Sequence, residues 1–313
     1  MTRFDRVNLA EEWEKELAVN HEEIEQQPSS PPERQVSFCP VKAVGLLQHP
    51  KILESQQLCE QIARRLEGQG FKVYRCSAWD EAGVRQWIEQ VDLLITLGGD
   101  GTILRAARMA FRSGTPILGI NLGRLGFLSE LAPANWEEKL PAVLEGHYWL
   151  ESRMMLQAEF WRGDSRIETY DALNEVVISR GSLARTVRLA TYIEHEYFTT
   201  YKADGVIVST PTGSTAYALA VGGPILPPQL KNVLLIPIAP HLSMDRAIVL
   251  SPETRVDVQV STDHRAILTV DGQFEVALQD GDTISVSAGP VESQFVRTQD
   301  KTYFYRTLME RLR

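Results

Sequence analysis

Apolar positions follow two alternating periods from Val41 to about Glu145. Continuous apolar runs at Val41–Leu47, Phe71–Cys76, Val91–Leu97 and Pro116–Ile120 are separated by stretches at helical spacing. Those stretches are about Ile52–Glu67, about Trp79–Glu89, the segment from Thr102 and about Asn135–Glu145. Short unbroken apolar runs read as strands buried on both faces, which a parallel sheet requires. Strand and helix in alternation predict right-handed βαβ units and hence an α/β fold.

From about Tyr148 the texture changes. Short runs rich in β-branched and aromatic residues follow at Met155–Arg162, Val176–Ser179, Val187–Ile193, Tyr197–Thr200 and Gly205–Ser209, with more from Val233 onward. They predict a β-rich second domain, and no internal repeat of fixed period marks it. Lys301–Leu312 reads as a helix that can cross back to the first domain. Before Val41 the chain is polar and acidic, with Glu11-Glu12-Trp13-Glu14 and Glu22-Glu23-Ile24-Glu25 leading to Pro28-Ser29-Ser30-Pro31-Pro32. A proline cluster cannot continue a helix, so this part reads as an appendage with a linker. The expected organisation is an acidic, proline-containing segment over 1–40, an α/β domain over 41–147, a β-rich domain over 148–296 and a C-terminal helical segment over 297–313.

Bulk composition narrows the class. At 313 residues and 43% apolar, the chain can bury the cores of two domains. A net charge of −9 argues against a general role on nucleic acid or an anionic membrane, where a basic surface must displace counterions. Any polyanion must therefore be held by a local pocket. Cys39, Cys59 and Cys76 are odd in number and lack metal-ligand spacing, and the six histidines are scattered. No apolar run reaches the roughly 18 residues of a membrane span, and no basic-then-apolar signal opens the chain. A cytoplasmic location is expected.

The strand Val91–Leu97 ends in Gly98-Gly99-Asp100-Gly101-Thr102, with three glycines in four residues. Glycines let a ligand approach the backbone, and Thr102 is placed to cap the following helix. Open α/β sheets bind nucleotides where such a strand stops. Asp100 would repel a bare phosphate, so it suits a hydroxyl proton or a magnesium ion that bridges to phosphate oxygens. Arg105, Arg108 and Arg112 line one face of the next helix, and Arg105, one turn from the loop, is the best placed for phosphate. A second glycine turn, Asn121-Leu122-Gly123-Arg124-Leu125-Gly126-Phe127-Leu128, adds Asn121 and Arg124 as candidates for a joint cleft.

The β-rich half has polar islands of its own. Asn174-Glu175 stands at a strand start; the two share a wall only if the chain bends there, and an exposed strand end is the plain alternative. Tyr201 to Ala220 passes through Ser209, Thr210, Thr212, Ser214 and Thr215. A helix cap needs one hydroxyl, and five suggest short donors and acceptors for the edges of a base and ribose.

Together, Gly98-Gly99-Asp100-Gly101-Thr102, Asn174-Glu175, Asp204-Gly205 and Thr210-Pro211-Thr212-Gly213-Ser214-Thr215-Ala216-Tyr217, in this order, resemble the NAD kinase family. The resemblance spans roughly Val41 to Val296. It implies transfer of the terminal phosphoryl of ATP, with magnesium, to the 2′-hydroxyl of the adenosine ribose of NAD. By that resemblance Asp100 is the proton acceptor, with Gly101 and Arg105 beside it. Asn174, Glu175, Arg185, Lys202, Asp204, Thr215, Ala216, Tyr217, Ala218, Leu219, Ala220, Ala239 and Gln273 would form the NAD pocket. The resemblance assigns no metal ligands, and it implies a homodimer or homotetramer whose pocket is completed across a subunit contact. One departure is the turn Pro240-His241-Leu242-Ser243-Met244-Asp245-Arg246-Ala247, where the family has Pro-His-Ser/Thr-Leu-Ser-x-Arg-Pro; His241 reads as structural. The glycine-aspartate loop also resembles those of 6-phosphofructokinases and lipid kinases, so a lipid or sugar kinase is the alternative. A nucleotide-binding regulator without turnover is a third reading, for which Asp100 should have been replaced.

Overall fold

The structure, a computed structural model, describes residues 41–123, 126–181, 185–241 and 244–311. The acidic segment 1–40 with Cys39, Arg124 and Leu125 of the second glycine turn, and Leu242 and Ser243 of the departing turn lie outside the described residues.

The first half alternates as its apolar runs require: β1 (Ala43–Gln48), α1 (Leu53–Gly68), β2 (Lys72–Ser77), α2 (Glu81–Arg85), β3 (Leu93–Gly98), α3 (Asp100–Ala110), β4 (Ile117–Asn121) and α4 (Trp136–Leu144). The second half is almost all strand: β5 (Trp149–Arg153), β6 (Leu156–Arg162), β7 (Ser165–Ala172), β8 (Glu175–Arg180), β9 (Val187–Ile193), β10 (Glu196–Ala203) and β11 (Gly205–Ser209). After a short helix, α5 (Tyr217–Ala220), come β12 (Val233–Ile238), β13 (Ile248–Leu250), β14 (Val256–Ser261), β15 (Ala266–Val270), β16 (Phe274–Leu278), β17 (Thr283–Ala288), β18 (Ser293–Arg297) and the closing helix α6 (Tyr303–Arg311).

Three sheets result. The first runs β2-β1-β3-β4-β18-β5, parallel from β2 to β18, with β5 antiparallel on its edge. Every residue of β3 is buried, as a continuous apolar run demands. Apolar clusters cover both its faces, one containing Leu94, Ile103 and Ala107, the other Leu46, Ile62 and Ile95. The other two sheets, β10-β9-β14-β17-β6-β7 and β13-β12-β11-β8-β15-β16, are antiparallel and enclose a common core that includes Leu156, Val176, Val208, Val258 and Leu268. The fold is therefore an α/β part with a parallel sheet followed by an antiparallel β-rich part. Two strands from the second half, β5 and β18, complete the first sheet, so the chain returns to it before α6.

Local differences from the sequence reading have physical causes. The helix after the glycine loop starts at Asp100, so Thr102 is not its cap. Gly99 holds that position with no side-chain bond, and Thr102 lies buried in the first turn, its N–H bonded to the Gly99 carbonyl at 2.9 Å. A side chain at Gly98 would overlap the Thr102 hydroxyl, so glycine there is what lets the turn close. The helix expected over about Trp79–Glu89 is only α2 followed by a 3-10 turn at Ile88–Gln90. The strand expected at Tyr197–Thr200 extends over Glu196–Ala203, because pairing with β9 continues past the β-branched residues. Among the described residues no helix is long and apolar enough to cross a membrane.

Candidate active site

Asp100 opens α3 at the carboxyl end of β3, the sheet edge where parallel strands present backbone to a ligand. It lines a cavity of about 60 Å³ together with Phe127, Leu128, Asn174, Thr212, Thr215 and Ala216. One carboxylate oxygen, Oδ2, accepts the Phe127 N–H at 3.2 Å. The other, Oδ1, has no partner among the described residues. Burial pushes the Asp100 carboxyl above its ordinary value, opposed by the Phe127 amide and by the charges of Arg311 and Arg153. A methyl group at Gly126 would overlap this carboxylate. The second glycine turn thus packs against Asp100, and Gly126 makes the approach possible.

Behind Phe127 lies a buried ionic network. The Phe127 carbonyl accepts from Arg153, Arg297 and Arg311, each at 3.5 Å. Glu151 joins Arg153 at 2.7 Å and Arg297 at 2.8 Å, and Glu130 joins Arg297 at 3.3 Å. Burial alone would raise Glu151, but Arg153 and Arg297 outweigh it and draw the carboxyl down to about 2. The Tyr303 hydroxyl on α6 donates to Glu151 at 3.0 Å. One connected set of charges therefore ties α6, β5 and β18 to the peptide that holds Asp100.

A second device fixes the opposite wall. Asp271 and Gly272, both with positive φ, form the turn between β15 and β16, closed by the Gln273 N–H on the Val270 carbonyl at 2.9 Å. The buried Asp271 carboxylate accepts the N–H groups of Leu173, Asn174 and Glu175 at 2.9, 2.8 and 3.1 Å. Its neighbour Gln273 donates from Nε2 to the Gly101 carbonyl at 3.0 Å. This turn therefore holds both the Asn174-Glu175 bend and the glycine loop. The bend lets Asn174 line the cavity while Glu175 begins β8. Glu175 is buried, with Oε2 unpartnered among the described residues. Burial first, then Asp271, pushes its carboxyl up to about 8, opposed by the Tyr217 amide.

The hydroxyl-rich segment differs from the sequence reading. Ser209 and Thr210 donate to the carbonyls of Asn174 and Leu173, at 3.1 and 2.6 Å, and Ser214 to that of Pro211 at 2.6 Å. These three are buried and bonded to backbone, so they shape the wall. Thr212 and Thr215 alone of the five line the cavity. The segment continues as a 3-10 turn and the four-residue α5.

The remaining candidates are placed as follows. Gly101 is exposed at the loop. Arg105 stacks 4.5 Å over the Trp79 ring, whereas Arg108 pairs with Glu81 at 3.4 Å and Arg112 with Asp171 at 2.8 Å. Tyr217, Leu219 and Ala220 follow Ala216 on α5, while Ala218 is buried against Val177, Ile207 and Ile236. Lys202, Asp204 and Ala239 do not line the cavity. Asp204 pairs with Arg180 at 2.7 Å, the Lys202 carbonyl accepts the His241 N–H at 2.7 Å, and Ala239 has φ of 45° just past β12. Arg185 pairs at 3.7 Å with Asp263 and also lies apart from the cavity. Asn121 uses Oδ1 to accept the Gly123 N–H. Cys59 and Cys76 are free thiols, both pushed up by burial, Cys59 to about 11, so neither is an activated thiolate.

Sequence reasoning placed the second glycine turn at the joint cleft but chose Asn121 and Arg124 there, not Gly126 and Phe127, and it missed Asp271 and the Arg153–Glu151–Arg297 network. An Asp-Gly between alternating runs signals a hairpin, but the amides that Asp271 binds lie 96 to 98 residues away. Among the described residues no group of three or more His, Cys, Asp or Glu can hold a metal ion. Magnesium takes one or two carboxylates with phosphates and water. The unpartnered Asp100 Oδ1 suits either such an ion, carried in on a phosphate chain, or a hydroxyl proton.

Known proteins match this arrangement over most of its length. Residues 53–148 match the family described as the ATP-NAD kinase N-terminal domain, and residues 173–298 match the ATP-NAD kinase C-terminal domain. The NAD kinase of Chloroflexus aurantiacus is 39% identical over 273 residues, covering 87% of this chain and 99% of its own. That of Moorella thermoacetica is 46% identical over 221 residues, covering 70% of each. The structure of yeast NADH kinase complexed with NADH superposes with a TM-score of 0.75 at 25% identity, covering 90% of this chain and 91% of the other. An NAD kinase from Archaeoglobus fulgidus in complex with ATP gives 0.70 at 28% identity, covering 86% and 98%. The glycine loop and the distant Asn174-Glu175 bend that meets it thus fall within the two matched regions, and the chain belongs to the NAD kinase family.

Proposed function

We propose that this chain transfers the terminal phosphoryl group of ATP to the 2′-hydroxyl of the adenosine ribose of NAD, yielding NADP and ADP. The observation that carries the reading is that Asp100, whose Oδ1 has no hydrogen-bond partner among the described residues, lines a cavity with Asn174, Thr215 and Ala216. A carboxylate there accepts the proton of an incoming hydroxyl while the ribose is held by the facing wall. In the loose transition state of phosphoryl transfer the attacking oxygen gains little bond order, so Asp100 orients the hydroxyl and takes its proton late. The new O–P bond forms as the bond from the γ-phosphorus to the bridging oxygen of ATP breaks, and ADP leaves.

Magnesium, when bound, supplies charge neutralisation on the donor phosphates. With Asp100 Oδ1 given to the hydroxyl proton, no oxygen of this chain is assigned to the ion, which would enter on the donor phosphates. Glu175, Tyr217, Leu219, Ala220 and Gln273 extend the acceptor wall around Asn174. Lys202, Asp204, Ala239 and Arg185 stand off the cavity, in keeping with a pocket completed by a second copy in a homodimer or homotetramer. A cytoplasmic location belongs to the same proposal, as does a division into an α/β part and a β-rich part, with β5 and β18 counted to the first because they complete its sheet.

A lipid or sugar kinase is disfavoured, because the match extends through residues 173–298 of the β-rich part and not only through the glycine loop. The test is conversion of NAD by purified protein with ATP and magnesium, read by an NADP-specific dehydrogenase. NADP formation is expected. Consumption of ATP with a sugar or diacylglycerol but not with NAD would overturn the reading.

A further inference from the structure

The arginines of α3 and of the turn that follows it differ in how their charge is used. Arg108, with its side chain 6% exposed, pairs with Glu81, and Arg112 pairs with Asp171. Arg105 has neither an ion pair nor a hydrogen bond among the described residues, and the nearby acid Glu81 is committed to Arg108 and Arg85. Its guanidinium rests 4.5 Å over the Trp79 ring. A guanidinium stacked by its face keeps its N–H donors at the edge, free for a planar or tetrahedral oxyanion.

Trp79 is itself held. It follows β2, where its N–H donates to Ser77 Oγ at 3.2 Å and the Ala78 N–H donates to the Gln48 carbonyl at 3.0 Å. His49, just past β1, packs edge-on against the indole at 4.5 Å, and its own N–H donates to Ser55 Oγ at 2.8 Å. The ends of β1 and β2 thus present an aromatic platform, still 43% exposed, to a cation one turn beyond Asp100. A large indole left in water on this edge of a parallel sheet is otherwise unaccounted for by core packing.

We propose that Trp79 is a positioning residue for phosphoryl transfer, aiming the uncommitted guanidinium of Arg105 at the phosphate chain of the donor. The inference rests on the kinase reading above. The donor is favoured over the pyrophosphate of NAD because Asn174, Thr212, Thr215 and Ala216 of the β-rich part line the cavity. Arg105, Trp79 and His49 all come from the α/β part and do not line it. In-line transfer places donor and acceptor chains on opposite sides of the phosphorus.

The test compares wild type, Trp79→Leu and Trp79→Phe. A lost cation–π contact of one to two kcal/mol corresponds to about a tenfold rise in KM for ATP in Trp79→Leu. KM for NAD and kcat should stay within about threefold, and Trp79→Phe should recover most of the loss. Separately, inorganic tripolyphosphate titrated into wild-type protein should change tryptophan emission, and Trp79→Phe should lose that change. Adenosine, which lacks the chain, should leave emission unaltered.

An equal or larger rise in KM for NAD, an unchanged KM for ATP, or an emission response to adenosine alone would overturn the proposal. If wild type makes no NADP, the kinase reading fails on that measurement, while the tripolyphosphate titration still reports whether Trp79 senses a phosphate chain. Should Trp79→Leu not fold, the Trp79→Phe and tripolyphosphate arms decide.

Discussion

The main-chain amide of Phe127 donates to Asp100 Oδ2 at 3.2 Å, while Oδ1 has no partner among the described residues. The opposite end of the same residue, its carbonyl, receives three guanidinium groups. A peptide held at both ends sets the carboxylate's orientation. Gly126 permits that contact, so Gly126→Ala must push the carboxylate away. A misplacement of about 1 Å costs on the order of 10²-fold in rate. The expected outcome in NADP-forming assays is a kcat lower by about that factor with unchanged circular dichroism. A kcat within threefold of wild type would show that the contact does not matter.

Asp271 gathers three amides with one carboxylate. Removing it in Asp271→Ala leaves buried donors unpaired, at about 1–3 kcal/mol each before relaxation. Urea unfolding should therefore lose several kcal/mol. In protein that remains folded, KM for NAD should rise, because the Asn174 bend loses its anchor. Loss of less than about 1 kcal/mol would show that water replaces the carboxylate.

Glu175 makes stability depend on pH. Burial and Asp271 hold its carboxyl up to about 8 in the folded chain, against an ordinary value of 4.5. The folded state thus keeps a proton that the unfolded chain releases. The associated stability is complete below about pH 4.5, declines as pH rises, and is gone above about 8. Glu175→Gln cannot ionise and should flatten this part of the profile, unfolding at higher temperature than wild type at pH 9. Parallel profiles for the two proteins between pH 5 and 9 would contradict the assignment.

Charge at Asp100 should also discriminate product from substrate. If Asp100 accepts the 2′-hydroxyl proton as proposed, its carboxylate repels a 2′-phosphate. Calorimetry of Asp100→Asn should show NADP binding strengthened relative to NAD. An unchanged ratio would place the 2′ position away from this residue.

Much of this architecture was legible from local pattern. The apolar run Val91–Leu97 and its glycine ending located β3 and Asp100, because a strand buried on both faces leaves a periodicity of its own. The short β-branched and aromatic runs beyond Tyr148 revealed a β-rich part, but not that its sheets are antiparallel or that β5 and β18 add to the parallel one, since pairing partners depend on long-range packing. The Ser209–Thr215 cluster was over-read as ligand-facing. Its hydroxyl density reflects backbone carbonyls at Leu173 and Asn174 that needed donors. Asp271 escaped notice because it acts on residues distant in sequence, and an Asp-Gly pair carries no local sign of that partner.

The most direct measurement is the turnover of Asp100→Asn with saturating NAD, ATP and magnesium. A positioned acid-base group contributes about 10²–10⁴-fold. The account requires a fall in kcat of that size, with NAD still bound. Activity within threefold of wild type would remove Asp100 from the chemistry.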